Sequence, residues 1–207
     1  MPATESRRPT TRARARTEQL LVDAALRVFA RKDAAALHEV AAEAGVSNGT
    51  FYNYFRSRDE LLAAASLALA ERLFADITAS SVGVSDPAER VAIGARRFIL
   101  TAVEDPTWGA ALLRMWASTP LLVDRTGTPL LQDLRRGRRT KRLRYASEAA
   151  AVDLVQGAVL AGMRTVLERR AGAEHARDIA AAILRGLGVP AADADDIASK
   201  PLPNGAS

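Results

Sequence analysis

Apolar residues recur at helical spacing along nearly the whole chain. Leu21, Ala25, Val28 and Phe29 fall at i, i+4, i+7 and i+8, one face of a helix that ends near Arg31 or Lys32. A short second helix follows over 37–44, with Val40, Ala41 and Ala44 inward and Gly45 as a stop that tolerates positive φ. Ser47 is a good N-cap for a third helix over 48–54. Ser57, with Glu60 at the third position after it, reads as a capping box opening a fourth helix over 57–78. The run 80–86 (SSVGVSD) breaks the pattern and is the expected joint between two halves. Asp86-Pro87 starts a fifth helix over 88–103, and Asp105-Pro106 a sixth that ends before Thr119-Pro120. A loop with Gly127 and Pro129 precedes a seventh over 130–139. Ser147 caps an eighth that Gly172 breaks, and a ninth covers 174–186. The tail after Pro190 is poor in large apolar residues and is expected to fray. No stretch alternates with period two, so the expected fold is all-α with nine helices.

Composition fits this and removes several chemistries. The hydrophobic fraction of 48% and charged fraction of 26% suit a globular chain with a real core. There is no cysteine, hence no disulfide, thiolate metal site, Fe–S cluster or cysteine nucleophile. His38 and His175 are too far apart for metal-ligand spacing, so neither a metal nor a cofactor is expected. The longest uncharged apolar runs, 61–70 and 154–163, are about half a membrane span. Arginines near the N-terminus lack the apolar stretch of a signal peptide. No membrane association is expected, and the cytoplasm is the expected compartment.

The net charge of +5 favours an anionic partner, but it is unevenly placed. Residues 1–16 hold five arginines, including Arg12, Arg14 and Arg16, against Glu5 alone. They form a basic arm that becomes helical near 10–17, and either lies on nucleic acid or is simply solvated. Residues 135–144 carry seven basic residues and no acid. That cluster reads as a solvated helix end favoured by the helix dipole, as a site for an anionic ligand, or as added attraction to DNA.

Four of the ten aromatic residues, Phe51, Tyr52, Tyr54 and Phe55, crowd into five positions. Phe51 and Phe55 share a helix face at i, i+4 and read as core, whereas the tyrosines read as surface groups with hydroxyls to donate. Residues 45–49 match G-x-S-x-G, the nucleophile elbow of α/β-hydrolases. That elbow needs a strand before the serine, and here a helix precedes Ser47. A short helix, a glycine-containing turn and a second helix presenting small and polar residues is instead the pattern of a helix-turn-helix. Ser47, Asn48, Gly49 and Thr50 form the first turn of the second helix, the part that enters a major groove.

These segments resemble the TetR family of bacterial transcription regulators. Residues 21–30 (LVDAALRVFA) are similar to its first helix, 37–55 (LHEVAAEAGVSNGTFYNYF) to its helix-turn-helix and 57–62 (SRDELL) to the start of its fourth helix. The resemblance implies a small core of Val40, Ala41, Val46, Phe51 and Phe55. It implies phosphate contacts from Tyr52 and Tyr54, and base or phosphate contacts from Thr50 and Asn48. Asn53 would be a second variable, exposed position. Arg58 stands where the family usually has lysine and would meet the DNA backbone. His38, near the start of the second helix, either contacts DNA or is solvated. One departure is plain: the segment between Phe29 and Leu37 is about two residues short and lacks the customary glycine. Ala36 also occupies the position of a hydroxyl cap, so either Asp33 compensates or the second helix begins less firmly.

For the rest of the chain the resemblance implies a small-molecule effector and dimerisation through the last two helices. Phe98, Trp108, Met115, Trp116 and Met163 are candidates to line a cavity, or else plain core. Leu154, Ala158 and Gly162, with Ile179, Ile183, Leu184 and Leu187, form apolar stripes that suit either a two-fold interface or the intrachain core. The expected organisation is a DNA-binding domain over 1–56, a ligand-binding and dimerisation domain over 57–190 and a flexible tail over 191–207. The expected function is that of a homodimeric, ligand-responsive transcriptional regulator, a repressor released from a near-palindromic DNA operator by a small molecule, and not an enzyme. The alternatives are a basic protein-interaction adaptor and a hydrolase using Ser47.

Overall fold

The computed structural model describes residues 11–32, 36–116, 120–169 and 172–203. Among them are ten helices and no strand: α1 (Thr11–Arg31), α2 (Leu37–Glu43), α3 (Asn48–Tyr52), α4 (Arg58–Ser80), α5 (Pro87–Glu104), α6 (Pro106–Trp116), α7 (Pro120–Arg139), α8 (Glu148–Arg169), α9 (Ala173–Gly186) and α10 (Ala191–Ser199). Arg7, Arg8, Asp33 and Thr119 lie outside the described residues.

Helix starts follow the capping signals. Ser57 Oγ accepts the Glu60 N–H, while the Glu60 carboxylate reaches back to the Arg56 N–H at 2.7 Å. Asp86 accepts the Ala88 N–H, and Pro87 supplies a preset φ where its missing donor costs nothing. At α2 the hydroxyl cap is indeed absent, and Glu39 fills part of the gap by accepting the Ala36 N–H at 3.0 Å. Part of the compensation therefore comes from an acid inside the helix.

Helices α1–α3 close a small core of Leu21, Ala25, Val28, Phe29, Val40, Ala41, Phe51 and Phe55, all nearly inaccessible. The remainder is organised around α5, which packs against α4, α6, α7, α8, α9 and α10. Close approach is built in at Gly109 on α6, where a Cβ would sit 2.6 Å from Ala102 Cβ on α5. The first helix rests on α6 and, less extensively, on α4.

Two expectations about elements change. Ten helices rather than nine lie among the described residues, because residues 191–199 form α10 instead of a frayed tail. Small residues do the packing there: Ala194, Ile197 and Ala198 are buried. Charged clasps then hold the segment, Asp193 to Arg142, Asp195 to Arg185 and Lys200 to Glu89. Residues 204–207 of the expected tail lie outside the described residues. The seventh helix begins at Pro120, with Pro129 inside it. A proline removes one backbone donor and strains one turn, which a helix packed on α4, α5 and α8 tolerates.

By length and composition α8 is long and apolar enough to cross a bilayer, and only 33% of its most apolar window is buried within the chain. The uncharged-run estimate missed this because Asp153 and Arg164 interrupt it. An apolar helix left partly open is equally the signature of an unfilled protein interface.

Candidate nucleic-acid interface and ligand cavity

The turn between α2 and α3 depends on Gly45, at φ +69°, a backbone region that favours glycine. Val46 N–H returns to the Ala41 carbonyl at 3.0 Å, reversing the chain. Ser47 then caps α3: its Oγ accepts the Thr50 N–H at 3.1 Å and shares a 2.9 Å hydrogen bond with the Thr50 hydroxyl. This pins the first turn of α3, and Ser47, Asn48 and Gly49 project into solvent with Thr50 half-buried beside them. Tyr52 is 54% exposed and Asn53 is exposed. Phe51 and Phe55 turn inward, with ring centroids 6.0 Å apart. The helix ends at Tyr52, two residues short of the expected 54, and Asn53 and Tyr54 continue as a turn.

Tyr54 differs from its expected place on the open surface. It is half-buried against the small core, and the Arg14 guanidinium lies 5.2 Å above its ring. Such a cation–π contact holds the N-terminal turn of α1 beside the reading helix. Arg12, Arg14 and Arg16 are all exposed on α1, as is His38 on α2. Arg58, exposed at the start of α4, has its guanidinium 5.8 Å over the Phe29 ring.

The charge of the reading head also reads differently in three dimensions. Residues 37–55 carry two acids and no Lys or Arg. Glu43 is neutralised from α1 by Arg27 at 2.8 Å and Arg31 at 2.6 Å, and Glu39 pairs with Lys32. Hydrogen bonds from Arg27 and then Arg31 hold the Glu43 carboxyl below its usual range. Neither acid stands unpaired against an approaching phosphate.

In the larger half, a cavity lies between α4, α5, α7 and α8, with about 760 Å³ of empty space counted out to its open mouth. Its walls are apolar and aromatic, with Phe74, Ile77, Phe98, Trp116, Val155 and Leu160 among them. One end is polar. Arg90 donates to Asp133 at 2.6 Å and to the Ser81 carbonyl at 3.2 Å, and Thr78 and Gln156 are nearby on the lining. Of the five sequence candidates, Phe98 and Trp116 line the cavity. Trp108, Met115 and Met163 do not: they are 3%, 2% and 0% exposed and belong to the core. The polar end was not anticipated. Its sequence signal is a charged residue set among apolar ones, Arg90 before Val91 and Asp133 between Leu131 and Leu134.

The candidate interface residues divide too. Ile183, Leu184 and Leu187 on or just after α9 are buried within the chain, and Gly162 faces Ile99 and Ile179. They are core residues here, because α5 and α10 cover the stripe from the inside. Leu154 remains 40% exposed, and Ala158 and Ile179 are half-buried.

Residues 21–65 match the model of the tetR family of bacterial regulatory proteins, and residues 86–200 match that of the tetracyclin repressor-like C-terminal domain. The chain belongs to the TetR family. It is therefore a TetR-family transcriptional regulator with an N-terminal DNA-binding helix-turn-helix. The crystal structure of RolR with resorcinol is 31% identical to it, covering 95% of this chain and 100% of that one, with a TM-score of 0.75. Ligand-free RolR is 30% identical over 91% of this chain and 100% of that one, with a TM-score of 0.72. Two uncharacterised HTH-type transcriptional regulators of Mycobacterium tuberculosis are 33% identical over 92 residues, 44% of this chain. The chain spans 46% of the length of those two curated relatives. In this TetR-family chain the G-x-S-x-G match is the helix-turn-helix turn itself, with Ser47 engaged as a cap after a helix.

Proposed function

We propose that this regulator is a homodimeric, cytoplasmic repressor that a small aromatic compound with polar substituents releases from a near-palindromic operator. The carrying observation is the cavity, aromatic on its walls and closed at one end by the Arg90–Asp133 pair. The relationship to RolR, whose complex holds resorcinol, favours a ligand of that size and polarity. The DNA-binding domain is residues 1–56 and the effector and dimerisation domain 57–190. Asn48 and Thr50 reach base edges or phosphates, with Ser47 and Gly49 allowing close approach. Tyr52, Asn53, Arg58 and His38 meet the backbone, as do Arg12, Arg14 and Arg16. Tyr54 acts by holding Arg14 in place. The second copy docks on the open face of α8, where Ala150, Leu154, Gly157 and Ala161 are exposed and mostly small. A Cβ at Gly157 would meet nothing within 4 Å, which leaves room for a neighbouring helix.

Fluorescence anisotropy with the DNA flanking the protein's own gene tests this reading, with resorcinol as the probe effector. A specific complex at moderate salt, weakened steeply by added salt and by resorcinol, is the expected result. No specific complex would overturn the operator reading. A complex indifferent to resorcinol, with no quenching of Trp116 emission, would overturn the effector class.

A further inference from the structure

One group of charges stands apart from both sites. Arg96 and Arg97 are neighbours on α5, and Arg177 on α9 lies close enough to act on Arg96 electrostatically. Arg96 is only 8% exposed, Arg97 is half-buried and Arg177 is exposed. No carboxylate pairs with any of the three among the described residues. Glu89, in the first turn of the same helix, pairs with Lys200 instead. The arginines meet only neutral acceptors: Arg96 Nη1 donates to the Lys200 carbonyl at 2.7 Å and Arg97 Nη2 to the Pro203 carbonyl at 2.6 Å. The Nε groups of Arg96 and Arg97 are buried with no acceptor at all. Burial, then the charges of Arg177 and Arg97, press the Arg96 guanidinium toward its neutral form.

A buried cation without a counter-charge is strongly disfavoured, and three like charges add to the cost. A guanidinium with a free Nε edge is also a preformed fork for an oxyanion. We infer that Arg96, Arg97 and Arg177 form a binding site for a small oxyanion of the phosphate or carboxylate class. The anion enters from the α9 side, where Arg177 is open to solvent, and completes the hydrogen bonding of the two buried Nε groups. The segment 200–203 roofs the site through its two carbonyl acceptors, so occupancy fastens the end of α10 to α5.

The test is thermal unfolding of the full chain in millimolar inorganic phosphate, at ionic strength held constant with sodium chloride. Phosphate is expected to raise Tm, by roughly 5–10 °C at a hundred-fold excess over its Kd. Arg177→Gln, on an exposed position, is expected to unfold at a higher temperature than wild type without phosphate and to lose most of the phosphate increment. Repeating the series with acetate assigns the geometry: a larger rise with phosphate identifies a tetrahedral anion, a larger rise with acetate a carboxylate. Equal phosphate increments in wild type and variant would reflect general salt exclusion and overturn the site. So would a variant no more stable than wild type without phosphate, since Arg177 would then already be compensated. A Tm that climbs with protein concentration but ignores phosphate would assign the counter-charge to a second copy and overturn it as well.

Discussion

Arg142 ties three segments together. It sits in the turn between α7 and α8 and donates to Asp86, the cap of α5, at 3.1, 3.0 and 2.9 Å. It also donates to Asp193 in the first turn of α10, one contact being 3.2 Å. Hydrogen bonds between charged groups contribute about 1.5–3 kcal/mol when well buried. Here the side chains of Arg142, Asp86 and Asp193 are 27%, 29% and 40% exposed, so solvent replaces much of each interaction. About 1 kcal/mol per carboxylate is left, or about 2 kcal/mol for Arg142→Ala, a Tm loss of about 4–8 °C for a chain of this size. The assay is chemical or thermal unfolding at one fixed protomer concentration, with Asp86→Asn and Asp193→Asn completing two double-mutant cycles. The hydrogen bond from Arg142 also holds the Asp193 carboxyl below its usual range. That arm therefore stabilises the fold at any pH above the unfolded aspartate value of about 3.9 and is lost as pH falls further. A wild-type minus Arg142→Ala difference below about 0.5 kcal/mol at pH 7, or one that grows on acidification, would falsify the clasp.

Ala36→Ser restores a hydroxyl at a cap whose φ of −83° and ψ of 148° already suit it, and is expected to add about 1 kcal/mol of stability in urea unfolding. Tyr52→Phe is expected to weaken operator and unrelated DNA alike in anisotropy titrations, as loss of a phosphate contact should. Asn48→Ala is expected to change the preferred sequence by about 1–3 kcal/mol at one base position; a uniform loss would make Asn48 a backbone contact.

Local signals marked the reading head well because its chemistry is local. Gly45, the Ser47 cap and the Phe51/Phe55 spacing each act within a turn or two of themselves, so the sequence states them directly. Charge compensation does not work that way. No Lys or Arg within residues 37–55 offsets Glu43; Arg27 and Arg31 come to it from a helix 16 and 12 residues earlier. The apolar stripes of α8 and α9 divide between intrachain core and open surface for a related reason. Periodicity says which face is apolar but not what covers it, and α10, whose buried residues are chiefly alanines, was too small in hydrophobic content to announce itself. The 135–144 cluster divides in the same light. Arg142 is the clasp, Arg135 bonds Glu148 at 2.9 Å, and Arg138 lies 5.5 Å over the Tyr145 ring. The cluster packs near the start of α5 through the Arg142–Asp86 contacts.

How an effector would reach that head turns on the two helices under α1. The cavity is walled by α4 through Phe74 and Ile77 and by the end of α6 through Trp116, two residues beyond Arg114. Arg114 Nε donates to the Ala30 carbonyl at 3.1 Å, on the last turn of α1. A ligand that separates α4 from Trp116 must therefore either drag α1 with α6 or break its seat on α4. Interfaces of packed helices switch between discrete arrangements, so a small opening is enough to turn the reading head. If Arg114 transmits this, Arg114→Ala keeps DNA affinity without effector and effector affinity without DNA close to wild type. What falls is the ratio of DNA dissociation constants with and without resorcinol. Linkage requires the same fall in the effect of DNA on resorcinol affinity, so two independent titrations must agree. A ratio unchanged by the substitution would place the coupling in α4 alone.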